Sequence, residues 1–145
     1  IDRGAIHLAS TAIDDVLNYA KTTVREMEIL EVPPDRWTAE LAGHLRAGGI
    51  ALRDGYAALR EDPAAAHAAA LVVHKAERNA EKTYRAAVAD VLAADGAADG
   101  DDVRAAVEQV LRALRRRELY RHLSNAADRL DTAGRGLLDI VLADV

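Results

Sequence analysis

The sequence predicts an all-α protein, an up-down bundle of about four long helices in a single domain over residues 1–145. Ala, Leu, Arg and Glu favour helix, and the chain has no Phe and few aromatics, namely Trp37, Tyr19, Tyr56, Tyr84 and Tyr120. Sheets draw more on β-branched and aromatic side chains. Apolar residues recur at three- and four-residue spacings through four long segments, and proline or a run of Ala, Asp and Gly separates them.

The first segment, about Arg3 to Glu31, places Ile6, Ile13, Leu17, Ala20, Val24 and Met27 on one stripe, with Asp2 as its cap. Pro33 and Pro34 stop it, and Asp35 can cap the next helix. That helix, about Arg36 to Arg60, aligns Trp37, Leu41, Leu45, Gly48, Leu52, Tyr56 and Leu59. Gly48, Gly49 and Gly55 weaken it by about 1 kcal/mol each relative to Ala, and close helix packing is the reading favoured over a hinge.

A turn at Glu61 to Pro63 opens a third helix running to about Ala94, with Pro63 suited to a first helical position. Its stripe is Val73, Ala76, Ala80, Tyr84, Val88 and Val91. Asp95 to Asp101 has no apolar period and reads as a flexible acidic loop, so the fourth helix begins near Asp101 or Asp102. In the fourth helix Val103, Val107, Val110 and Leu114 form one stripe, whereas Leu123, Ala127, Leu130, Leu137 and Val141 form another on nearly the opposite side. The pattern changes face around Arg115 to Glu118, which predicts either a bend or one long helix whose halves meet different partners.

The formal charge of -5 argues against nucleic acid as the main ligand. Arg115, Arg116 and Arg117, with Arg112 and Arg121 close by, read first as a solvated helix face and second as an anion or lipid-surface contact. The chain has no cysteine, so any metal would be held by carboxylates and histidines. No apolar run approaches a membrane span and no signal peptide opens the chain, so a soluble, cytoplasmic protein is expected.

Glu77 lies within the apolar stripe of the third helix, where a carboxylate needs a partner. His74, Glu77 and Glu81 follow one another along neighbouring turns, a geometry in which oxygen and imidazole ligands could share a cation. The first helix offers Asp14, Asp15 and Asn18, and the last offers Asp128 and Asp131, so carboxylates from three helices could converge. The alternative is that these acids are solvated or pair with arginines such as Arg78 and Arg129.

Enzyme signatures are weak. Glu40 to His44 and Glu118 to His122 are one residue too long for the Glu and His pairs of ferritin-like di-metal sites. There is no phosphate-binding glycine loop, and Ser10 and Ser124 sit within helical pattern. A binding protein is therefore expected rather than an enzyme.

Three stretches taken together carry a family resemblance. They are Ile1 to Tyr19, with its Ile-Asp-Arg opening and aspartate-containing helix; Val73 to Glu81; and Arg117 to Arg129. In that order they resemble PhoU-like phosphate-transport regulators, in the small branch associated with Pit-type inorganic phosphate permeases. The resemblance implies a cytosolic accessory or regulatory protein of phosphate transport, at the inner face of the membrane. Its implied partner is a Pit-type permease or a phosphate-signalling protein, with a homo-oligomer expected.

It also implies a six-helix array of two three-helix bundles, of which this chain would lack the first two helices. Divalent or ferric ions would be held by Asp14, Asp15, Glu77, Glu81 and Asp128. Asn18, Glu81 and Ser124 depart from the family pattern of Asp, Asp and Glu, which lowers the expected cation affinity. A carboxylate-rich metal-binding bundle and an oligomeric helical scaffold are the alternative readings.

Overall fold

The computed structural model describes residues 2–93 and 102–143. They form four helices, α1 (Arg3–Ile29), α2 (Arg36–Ala58), α3 (Pro63–Ala93) and α4 (Val103–Ala143), with no strand among the described residues. Each start follows from a cap. Asp2 accepts from the Gly4 amide at 2.9 Å. Asp35 and Thr38 form a reciprocal capping box. Asp62 accepts from the Ala65 amide at 2.9 Å, with Pro63 at the first helical position. Asp102 accepts from the Ala105 amide at 3.2 Å. The expected acidic loop, residues 95–101, lies outside the described residues.

Successive helices alternate in direction. Trp37 donates to Asp90 at one end of α2 and α3, and Gly55 stands against Ala69 at the other. Val73 of α3 sits on Gly134 of α4, and Asp15 of α1 pairs with Arg129 of α4. α2 packs on α3, and both pack on α4, whereas α1 packs on α4 and does not bring its backbone close to α2 or α3.

Small residues set how closely three of these helices approach. A Cβ on Gly48 would lie 2.6 Å from Leu130 Cδ2 and 3.2 Å from Ala76 Cβ. On Gly55 it would lie 2.9 Å from Ala69 Cβ, and on Gly134 2.8 Å from Val73 Cγ1. The core follows from that closeness: Ala12, Leu52, Ala66, Ala70, Val73, Leu130, Ala133 and Leu137 form one buried cluster. Leu41, Ala80, Ala87, Tyr120, Leu123 and Ala127 form a second.

Where α2 begins, Tyr120 and Arg116 of α4 both bond the Asp35 carboxylate, Arg116 at 2.8 Å. Burial alone would raise the Asp35 pKa, but the Tyr120 hydroxyl, the Thr38 amide and Arg116 outweigh it and hold the carboxyl below its ordinary value. Tyr120 is raised in turn, first by burial and then by its bond to Asp35.

The structure fixes which way the α1 stripe faces and corrects one reading of α2. The α1 stripe does not face the core: Leu17 is 63% exposed and Val24 61%, while Ala9, Ala12 and Thr23 are buried against α4. Small side chains turn inward there: Ala9 faces Gly136 of α4, where an added Cβ would make an ordinary contact with it at 3.6 Å. In α2, Gly48 and Gly55 serve close packing, but nothing stands within 4 Å of a Cβ on Gly49. The face change in α4 is as expected, and the helix runs unbroken through it. Among the described residues no helix is long and apolar enough to cross a membrane.

These positions give opposite expectations for one substitution. Gly55→Ala should lower stability by about 1–3 kcal/mol through overpacking against Ala69, whereas Gly49→Ala should raise it by about 0.5–1 kcal/mol through helix propensity. Urea unfolding of the two variants beside the parent checks both signs.

Candidate functional site

Two features stand apart from ordinary packing. The first is a cluster of acids and an imidazole where α3 meets α4. His74 Nδ1 lies 3.0 Å from Asp131 Oδ1, and Arg135 Nε donates to Asp131 Oδ2 at 3.0 Å. Asp131 is only 5% exposed, so these bonds satisfy a carboxylate that solvent hardly reaches. One ligand atom from each of His74, Glu77 and Asp131 falls within 4.8 Å of the other two, the spread a single cation could bridge.

Glu77 is half-buried rather than a core residue. Its pKa is raised, first by burial and then by the charges of Asp131, Asp128 and Glu81, with His74 acting the other way. Asp128 is raised as well, by burial and then by Glu81 and Asp131, while a hydrogen bond with Glu77 pulls it down. Glu81 is engaged by Arg85 one turn away. The cluster thus satisfies itself through the hydrogen bond between Glu77 and Asp128 and through two arginines, and a divalent cation would have to displace some of these.

Of the five carboxylates expected to bind metal, the fold brings together Glu77, Glu81 and Asp128. Asp14 and Asp15 are elsewhere. Asp14 is exposed on α1, and Asp15 stands 2.9 Å from Arg129, an ion pair whose angle falls short of a hydrogen bond. Arg129 and Asp131 are two residues apart and therefore point about 200° apart on the helix. α1 and α3 thus use different sides of α4. Asn18 is exposed on α1 as well.

His74 and Asp131 complete the acidic cluster. The three-residue spacing of Asp128 and Asp131 was the available signal. Glu40 and His44 instead meet Thr83, whose hydroxyl donates to Glu40 at 2.9 Å and lies 3.0 Å from His44 Nε2, bridging α2 and α3. His122 bonds Glu26 at 2.7 Å and ties α4 to α1.

The second feature is an apolar groove between α1 and α2. Because the α1 backbone comes close only to that of α4 among the described residues, a trough remains, with Leu123, Leu130 and Ile140 of α4 as its floor. Ile6, Ile13, Leu17, Val24 and Met27 line one wall, and Ala42, Leu45, Leu52, Tyr56 and Leu59 the other. Three segments of about 370, 290 and 400 Å³ follow one another from the Ile6 end to the Met27 end. At 1.5 Å per residue the α1 wall is roughly 32 Å long, about six turns of a helix. The apolar stripes of α1 and α2 supply most of these wall residues, and they face each other across the trough. Tyr56 lines two of the segments, and its buried hydroxyl has no hydrogen-bond partner among the described residues.

Comparison with family models, with curated proteins and with solved structures returns no match for this chain.

The cluster has a definite pH signature. Glu77 and Asp128 hold protons more tightly in the folded state than in the unfolded chain, so the stability they contribute is present in acid and is lost as pH rises through their raised pKa values. Glu77→Gln removes one of the repelling charges and still offers a donor to Asp128. It should therefore raise the urea midpoint at neutral pH, and the gain should shrink toward ~pH 4, where the unfolded-state carboxylates titrate.

Proposed function

We propose that this chain is a non-catalytic binding protein that receives a helix of its partner in the groove between α1 and α2. Within that class we propose an accessory or regulator of inorganic phosphate transport, working at the cytoplasmic face of a Pit-type permease or on a phosphate-signalling protein. The observation that carries the reading is the groove: large apolar side chains of α1 face it uncovered, over a length that fits a helix and above a floor supplied by α4. The resemblance of Ile1 to Tyr19, Val73 to Glu81 and Arg117 to Arg129 to PhoU-like regulators supports the phosphate connection.

Leu17→Glu with Val24→Glu places charge in the groove at positions already exposed, so the fold should survive while docking is lost. Affinity capture from cells that make either form, combined with phosphate uptake in a deletion strain, tests the reading. A permease or phosphate-signalling protein should be retained by the parent and lost from the double variant. Unchanged uptake and unchanged phosphate-responsive expression on deletion, with no such protein retained, would contradict it. So would a dimer of the chain that the double variant splits, because the groove would then be covered by a second copy.

A second reading is favoured by the spacing of His74, Glu77 and Asp131, which suits a divalent cation. Calorimetric titration with Mn²⁺ at neutral pH should then show near-stoichiometric binding that Glu77→Gln abolishes. No heat of binding in the parent would exclude it.

A further inference from the structure

α4 is longer than its neighbours, with 41 residues against 31 in α3. The seating of Val73 on Gly134 fixes the antiparallel register, so the last residue of α3 stands near the level of Leu114. The first three turns of α4 therefore project past the end of α3. On this projecting part Val103, Val107, Val110 and Leu114 keep a four-, three- and four-residue spacing. All four are exposed, Val103 by 75% and Val107 by 52%. At 100° per residue their line lies opposite the one that Leu123, Leu130 and Leu137 bury in the bundle.

Positive charge gathers at the base of this stretch. Between residues 103 and 121 six arginines face two glutamates, in a chain whose formal charge is -5. Arg115 stands on one flank of the apolar line and Arg117 on the other, both exposed and neither in an ion pair among the described residues. Arg104 and Arg121 are exposed as well, each paired with a glutamate on its own helix, at 3.4 and 2.8 Å.

We infer that the projecting start of α4 lies on anionic lipid, with its valines and Leu114 entering the headgroup boundary and Arg115 and Arg117, at its base, reaching the phosphates on either side. An apolar line between two flanks of guanidinium groups is the pattern of a helix lying in the plane of a membrane interface. Long arginine stems cover apolar surface while their heads stay with the phosphates. Nucleic acid offers the same phosphates but no apolar layer, and it would leave the valine line in water. A second copy of this stretch would bring arginines against arginines. The inference does not depend on the groove between α1 and α2, which lies on another side of the molecule.

Vesicle flotation tests it with two probes, phosphatidylcholine alone and phosphatidylcholine with one-third phosphatidylglycerol. The parent should float with the second and stay behind with the first. Each arginine near an anionic surface contributes roughly a fivefold gain in partitioning, so Arg115→Glu with Arg117→Glu should weaken binding by more than about tenfold. Val107→Glu with Val110→Glu should weaken it comparably, and far-ultraviolet circular dichroism should show helix content unchanged in both. Equal binding to the two vesicles, or binding to neither, would overturn the inference. So would duplex DNA binding that the valine variant leaves intact, or a parent dimer that the valine variant splits into monomers.

Discussion

The structure depends on how closely α2 and α3 approach α4. Where they meet, glycine and alanine stand in place of larger side chains: Gly48 beneath Leu130, Gly55 beneath Leu137 and Ala69, Gly134 beneath Val73. Close-packed interiors tolerate no extra carbon at such points without movement of a backbone. The three helices therefore draw together, and the large buried side chains, Tyr120, Leu41, Leu119, Leu137 and Val73, fill what space remains around α4.

α1 is outside that arrangement. It reaches α4 through Ala9, Ala12 and Thr23, through the pair of Asp15 with Arg129, and through Glu26 with His122. Partly exposed ion pairs contribute on the order of 0–1 kcal/mol each, and small side chains bury little area. The larger apolar residues of α1 face the groove instead. The same seam that draws three helices together thus leaves the fourth standing on one neighbour, with an apolar wall open to solvent.

Much of the fold was legible in local sequence. Asp2, Asp35 and Asp102 cap helices, Pro33 and Pro34 separate two of them, and Pro63 starts the third. The two apolar lines of α4 could be read before any contact was known, because a helix fixes the angle between residues of one element. What one helix cannot fix is which side of it each neighbour occupies. Asp14 and Asp15 had the right spacing and chemistry to join Glu77 and Asp128, but α1 lies on a different side of α4 from α3. Likewise the α1 stripe was visible as apolar, but the element it faces depends on which side of α1 the other helices occupy. The acidic cluster was partly legible: spacing along α3 and along α4 showed its members, and only the register of the two helices showed that His74 meets Asp131.

Residue-resolved hydrogen exchange tests directly whether α1 stands on α4 alone. If it does, amides in the middle of α1 should open at lower free energy than those of α3 around Val73 and of α4 around Leu130, and Gly136→Leu, placed where α1 crosses α4, should speed α1 selectively. Protection of α1 equal to that of α3 and of the second half of α4, lost only in global unfolding, would contradict it.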